Sequence, residues 1–150
     1  LIISSSNNLK TLESNLNQIY LLSVNWCNSL FTLKGMPLAK YLNVGSCNHI
    51  SNLEGIPSEL DSLSLRNLPN LNNLDFFPEV IHGNFTFNNC PGITNMQLLR
   101  AAVGSVVNGS VEGNFDKHFH PQTIDKKLYT REYRDELERG SKEAGANLDF

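Results

Sequence analysis

The residues best suited to chemistry are two histidines and an aspartate near the carboxyl end of the chain. Asp116, His118 and His120 lie within residues 115–121, and on an extended segment the two imidazoles point the same way. Two imidazoles can begin a metal site, but no third ligand follows at a useful spacing. A hydrolase using either histidine as a base also needs a nucleophile and an orienting acid, and no motif identifies them. We therefore expect no catalytic residue, no metal and no cofactor, and predict that the chain is not an enzyme.

Three cysteines are the other candidate ligands, and their spacing places them at one position of an internal repeat. Cys27, Cys47 and Cys90 share this position with Ser6 and Leu68. A position that accepts leucine is an apolar core position, where a free thiol behaves as a small hydrophobic group. Zinc ligands instead come in closely spaced pairs. We predict three buried, unreactive thiols.

The repeat explains why the chain holds as many as 22 leucines and 20 asparagines. Its pattern is Leu-x-Leu-x-x-Cys-x-x-Leu-x-x-Leu, and its spacing of about 20 to 22 residues is typical of solenoids. Alternating apolar residues predict one short strand per copy, and apolar residues three apart predict an irregular or 3₁₀ return path. Neighbouring copies must stack to bury their leucines. The copies begin at Leu1, Leu22, Leu42, Leu63 and Phe85.

Glycine, proline and asparagine mark the bends of each copy. Gly35 and Gly55 each stand two residues before a proline, which predicts the bend back to the next strand. Asn28, Asn48 and Asn89 follow the strands, where asparagine satisfies turn backbone groups and tolerates left-handed geometry. We expect these asparagines to support the turns and to carry no chemistry.

Two stretches of the repeat resemble a known family. Residues 53–60 read LEGIPSEL and residues 78–90 read PEVIHGNFTFNNC, which resembles bacterial and bacteriophage leucine-rich repeats over residues 1–96. The resemblance implies an α/β repeat fold: a leucine-rich-repeat solenoid with a concave parallel β-sheet and an irregular or 3₁₀ convex side. Such solenoids usually bind another protein, and the resemblance implies no reaction. Leu68 and Ser6 depart from the pattern because they stand where the other copies have cysteine.

A partner-binding face is predicted from the strand positions that point away from the buried leucines. Most of these positions are small and polar, but tyrosine and arginine, which anchor interfaces, also occur among them. The alternative is that Leu21 and Tyr41 are scattered surface residues. Trp26, near a strand end, either joins this face or folds into the core. The predicted partner-binding residues are Leu21, Ser23, Asn25, Tyr41, Asn43, Ser64, Arg66, Thr86 and Asn88.

The chain is predicted to divide into a solenoid over residues 1–114 and a tail over residues 115–150. Residues 106–111 resemble residues 80–85 and predict a last, degenerate repeat; the alternative is a hairpin turned by Asn108-Gly109. Charges four residues apart after Thr130 predict a helix in the tail. We expect this helix to cap the solenoid; the alternative is that it contacts a partner or a second copy of the chain.

The charge and composition of the chain limit the classes of partner that it is expected to bind. A net charge of −3, from 12 basic and 15 acidic residues, gives no electrostatic attraction to nucleic acid or to an anionic membrane surface, and we expect neither as a partner. Few cysteines and the phage-like repeats favour the cytoplasm of a bacterial host cell, or a virion. The first hypothesis is a non-enzymatic module that binds a host protein or virion subunit on the concave sheet. The others are a structural virion component and, because the chain starts without Met inside a repeat, the recognition part of a longer effector.

Overall fold

The computed structural model describes residues 1–94, 102, 106 and 109–113. Six strands form a parallel sheet in the order β1-β2-β3-β5-β7-β8, and two short strands, β4 and β6, form a second parallel pair. The strands are β1 Ile2–Ser4, β2 Gln18–Asn25, β3 Leu38–Gly45, β4 Glu59–Leu60, β5 Ser62–Arg66, β6 Val80–Ile81, β7 Phe85–Asn88 and β8 Val111–Gly113.

The main sheet has the register of the sequence repeat. Leu22 pairs with Leu42, Leu42 with Leu63, and Leu63 with Phe85, so that equivalent positions of successive copies are neighbours. All four side chains are buried, because alternate residues of a strand point to one face and these point inward. The predicted stack of coils with a parallel sheet is confirmed.

The core is a set of columns that run from coil to coil. The leucine ladder of the main sheet is followed by a column containing Cys27, Cys47, Leu68 and Cys90, each at most 5% exposed. Further columns contain the apolar residues three and six positions later, such as Leu30 and Leu33 in the second coil. Each coil supplies one residue to each column, so that no coil buries its apolar side alone.

Each coil also has a second, shorter strand, which the expectation of one strand per copy missed. Leu60 of β4 pairs with Ile81 of β6, and Ile81 forms a parallel bridge with Val106. All three are buried, as is Ala39 near the start of β3. In β2 and β3 the two segments are continuous, whereas in later coils a corner at Asp61 or at residues 82–84 separates them.

The return path of each coil consists of single turns. The backbone N–H of Leu30 donates to the carbonyl of Cys27, and the same bond three residues apart recurs at Ile50, Leu71 and Ile93. These bonds agree with the expected irregular path, and in the described residues none of them extends into a 3₁₀ helix. Gly35 and Gly55 adopt φ of 84° and 102° at the predicted bends.

The left-handed residue after the main strand lies two positions before the predicted asparagine in the coils of Asn28 and Asn48. Asn89 does adopt this conformation, with φ of 50°, but Asn28 and Asn48 do not. Each of those two follows the core cysteine, whereas the left-handed residue precedes it. Asn28 and Asn48 still lie in the turn that follows the strand, as predicted, but the left-handed position itself comes directly after the last strand residue. The left-handed residues are Ser5, Trp26, Ser46, Asn67 and Asn89.

A further coil follows the five copies. β8 pairs in parallel with β7, joining Phe85 to Val111. This is the pairing of a further repeat, since a hairpin at Asn108-Gly109 requires antiparallel strands. The tail over residues 115–150, with its predicted helix and with Asp116, His118 and His120, lies outside the described residues. In the part of the chain that is described, no helix has the length and apolar character needed to cross a membrane.

Candidate binding surfaces

The nine predicted partner-binding residues lie on the outer side of the main sheet, which we call the sheet face. The parallel register arranges them in three rows across the strands. The central row runs from Ser23 through Asn43 and Ser64 to Thr86. On the amino-terminal side of this row Leu21 pairs with Tyr41, and on the carboxyl-terminal side Arg66 pairs with Asn88. Asn25, the ninth residue, pairs with Gly45 in that last row.

A small hydrogen-bonded group occupies the middle of the sheet face. Ser23 Oγ accepts from Asn25 Nδ2 at 2.8 Å and from Asn43 Nδ2 at 3.2 Å. Ser23 is only 8% exposed because the two amide groups cover it. Ser23 therefore offers little of its own surface to a partner. Its hydroxyl instead holds Asn25 and Asn43 in place.

Aromatic and aliphatic side chains gather at the amino-terminal edge of the sheet face. The rings of Tyr20 and Tyr41 lie 4.8 Å apart between centroids, tilted by 39°. A side-chain hydrogen bond with Tyr20 raises the pKa of Tyr41, and the Coulomb effect of the same neighbour adds to it. Tyr20 is 69% exposed and Leu38 61%, and Leu21 is also exposed. We call Tyr20, Leu21, Leu38 and Tyr41 the tyrosine cluster.

Sequence reasoning missed Tyr20 and Leu38. Strict alternation back from Leu22 places Tyr20 inward, but the neighbouring residues Tyr20 and Leu21 are both exposed, so the alternation breaks within β2. Leu38 begins β3 on the outer side of the shorter sheet, beside Gln18. The signal that could have found both residues is the additional apolar residue three positions before each buried leucine, Ile19 before Leu22 and Ala39 before Leu42.

Arg66 lies at the opposite, carboxyl-terminal edge of the sheet face. Its side chain is exposed, and within the described residues it takes part in no ion pair. Its neighbour Gly45 presents no side chain, and the Asn25 carboxamide lies over that glycine. Among the nine predicted residues the sheet face therefore has an aromatic end, a neutral centre and one exposed cation, and the exposed Glu112 of β8 continues the central row beside Thr86.

A groove of about 270 Å³ runs beside the carboxyl ends of the strands, and we call it the edge groove. Trp26 stands at the left-handed position of its coil with φ of 59° and is 59% exposed, so it is not a core residue. Asn67 Nδ2 donates to Ser46 Oγ at 3.4 Å, and Asn89 Nδ2 donates to Asn67 Oδ1 at 2.9 Å. The residues that line the edge groove are Trp26, Ser46, Asn48, Asn67, Pro69, Asn89 and Pro91.

A second groove, of about 410 Å³, lies over the outer side of the shorter sheet. It contains Lys40 and Asp61, and at its rim His82 Nε2 lies within hydrogen-bonding distance of Glu59 Oε1, at 2.6 Å. Both members of that pair are exposed, so the pair adds little to stability.

The cysteines have the buried environment that the repeat predicts. Cys27, Cys47 and Cys90 are free thiols, and each Sγ lies 3.3 to 3.4 Å from the carbonyl oxygen two residues earlier. Burial raises the pKa of the Cys47 and Cys90 thiols, which disfavours the reactive thiolate. The described residues hold no cluster of three or more His, Cys, Asp or Glu side chains that could bind a metal ion.

The chain was compared with known proteins in three ways. No protein-family model matches it, and neither a curated protein nor a solved structure does.

Proposed function

We propose that this chain is a leucine-rich-repeat module that binds a partner protein on its sheet face, as the concave surface of the solenoid, without catalysing a reaction. The observation that carries the proposal is the arrangement of the sheet face, where the tyrosine cluster and Arg66 flank a neutral centre. Tyrosine and arginine dominate binding energy in protein interfaces. The coil spacing and the LEGIPSEL turn support the family.

The centre of the sheet face suits close approach by a partner backbone. Its side chains are serine, asparagine and threonine, and Gly45 leaves a gap between neighbouring coils. Charged residues are depleted in the buried middle of protein interfaces, as they are here. Serine and asparagine can both donate and accept hydrogen bonds, so this centre can pair with an exposed peptide backbone.

The backbone that carries these side chains is held by hydrogen bonds on both sides. Each central strand of the main sheet pairs with two neighbours, and the parallel register continues from β1 to β8. A rigid surface loses little conformational entropy when it binds, which leaves more of the contact energy for affinity.

The test is a double substitution at the two flanks, Tyr41→Ala with Arg66→Ala. A photo-crosslinking residue at position 43, in the centre of the sheet face, first identifies the bound protein. We then expect the double variant to bind that protein at least about tenfold more weakly, or roughly 1.4 kcal/mol, because both anchors are removed. Calorimetry of the purified pair measures the change.

The matched control is Lys10→Ala with Phe76→Ala, which removes a cation and an exposed aromatic ring from the return paths. This control should bind as tightly as the parent chain. An unchanged affinity in the Tyr41 and Arg66 variant, or an equal loss in the control, would contradict binding on the sheet face.

A further inference from the structure

Trp26 differs from the residues at the equivalent position of the four other coils in which the structure describes that position. That position is left-handed in five coils, and its other occupants are Ser5, Ser46, Asn67 and Asn89. Short polar side chains tolerate this backbone because they can bond to nearby main-chain groups, which an indole ring cannot do in the same way. Trp26 is also 59% exposed, so core packing does not account for it.

The rest of the edge groove is polar and uncharged. Asn48, Asn67 and Asn89 line it together with two prolines, and no acidic or basic side chain belongs to its lining. A carboxamide carries two N–H donors and one acceptor oxygen. Asn67 and Asn89 each use one N–H in a bond to the neighbouring coil, which restrains the carboxamide, and each carboxamide has a second N–H that a ligand could bind.

We propose that the edge groove binds a neutral saccharide, with one sugar ring stacked on Trp26 and its hydroxyl groups bonded to the asparagine carboxamides. The C–H bonds on one face of a pyranose carry slight positive charge and meet the negative face of an aromatic ring. The hydroxyl groups around the ring both donate and accept, as carboxamides do. The volume of about 270 Å³ is at the small end of ligand sites and suits one or two sugar rings.

Other ligand classes fit the edge groove less well. Phosphates and carboxylates need cationic or bidentate donors, which its lining does not contain. Proline-rich peptides dock in grooves with several aromatic side chains, whereas this groove has one. The lining of the edge groove includes none of the nine sheet-face residues, so the proposal does not depend on the protein-binding function.

The chain provides its own probe, because Trp26 is its one tryptophan. Intrinsic fluorescence of the full chain is titrated with neutral trisaccharides of glucose, mannose, galactose and N-acetylglucosamine into the millimolar range. We expect at least one of them to shift the emission to shorter wavelength in a saturable way and to protect the indole from quenching by acrylamide. A proline-rich peptide and a sulfated trisaccharide are titrated in parallel.

Two variants test whether Trp26 and Asn48 contribute to saccharide binding, which saturation-transfer NMR of the saccharide measures. Trp26→Asn should abolish binding while keeping the fold, since asparagine already occupies this position in two other coils. Asn48→Ala should weaken binding by about 2- to 12-fold, the effect of one hydrogen bond. Phe76→Ala, which removes an exposed ring outside the groove, should bind as the parent does.

Three results would overturn the proposal. One is that no trisaccharide changes the fluorescence or the quenching of Trp26. Another is that only the sulfated sugar or the peptide binds. The third is that a trisaccharide binds equally well to a folded Trp26→Asn chain, because the ring would then play no part in the site.

Discussion

Gly45→Ala tests whether the centre of the sheet face depends on the close contact between Gly45 and the Asn25 side chain. Gly45 lies in β3 with an ordinary strand conformation, so alanine meets no backbone strain there. A Cβ at this position would lie 2.5 Å from Asn25 Oδ1, whereas the nearest backbone atom, Arg66 O, is 3.6 Å away. The Asn25 side chain is therefore what stands in the way, and it must move.

The expected change in the free energy of unfolding follows from two opposing effects. Moving Asn25 breaks its 2.8 Å bond to Ser23, which is worth about 0.5–1.5 kcal/mol. Replacing glycine by alanine reduces the entropy of the unfolded chain and stabilises the fold by about 0.4–1 kcal/mol. We expect Gly45→Ala alone to change the free energy of unfolding by less than about 1 kcal/mol. In an Asn25→Ala background the same change should stabilise by about 0.4–1 kcal/mol.

Urea unfolding of the four proteins of this double-mutant cycle measures the coupling, which we expect to be close to 1 kcal/mol. Gly55→Ala is the comparison, since Gly55 has φ of 102° and its Cβ would lie 2.5 Å from the backbone Cα of Lys34. That change should destabilise by more than about 1 kcal/mol, whether or not Asn25 is present. An equal effect of Gly45→Ala in both backgrounds would refute the reasoning.

Three further predictions concern the core and the turns. Because burial raises the pKa of Cys47 and Cys90, the unfolded chain loses these thiol protons at a lower pH than the folded chain does, and the free energy of unfolding should fall as pH rises above about 8.5. Urea unfolding from neutral to alkaline pH should show a shallower fall when both cysteines are replaced by alanine. An unchanged fall in that variant would contradict this cause. Leu65→Ala should cost about 2–5 kcal/mol in urea unfolding, since Leu65 is fully buried between two coils, and a loss below about 1 kcal/mol would show that it is not a core residue. Trp26→Asn should change stability by less than about 1 kcal/mol in a thermal melt, because relief of left-handed strain offsets the lost partial burial. A loss of about 3–5 kcal/mol would instead show that Trp26 is a core residue.

The main sheet could be predicted from sequence because its pattern is long and regular. Leu22 and Val24 alternate with Ser23 and Asn25, and the same alternation returns in each coil, so both the inward and the outward sides follow. The cysteine column could be predicted for a related reason: Leu68 occupies the same position and shows that the site is apolar.

The corners and the edges could not be predicted in this way. Leu60 and Ile81 belong to two-residue strands, which are too short for alternation to reveal. Tyr20 faces solvent because the alternation breaks within β2, at a point that no glycine or proline marks. The exposure of Trp26 depends on a left-handed backbone, and tryptophan is a poor indicator of that conformation.

The parallel stacking has a consequence for how the chain can change in length. Hydrogen bonds between coils join residues 19 to 26 positions apart, so each added coil closes a loop of nearly the same size at nearly the same entropic cost. Inserting or deleting a whole coil preserves the neighbours that every other coil needs, whereas a single inserted residue within a strand turns its apolar side outward. The width of the sheet face can therefore be adjusted in steps of about 4.8 Å, the spacing between strands, to match surfaces of different size.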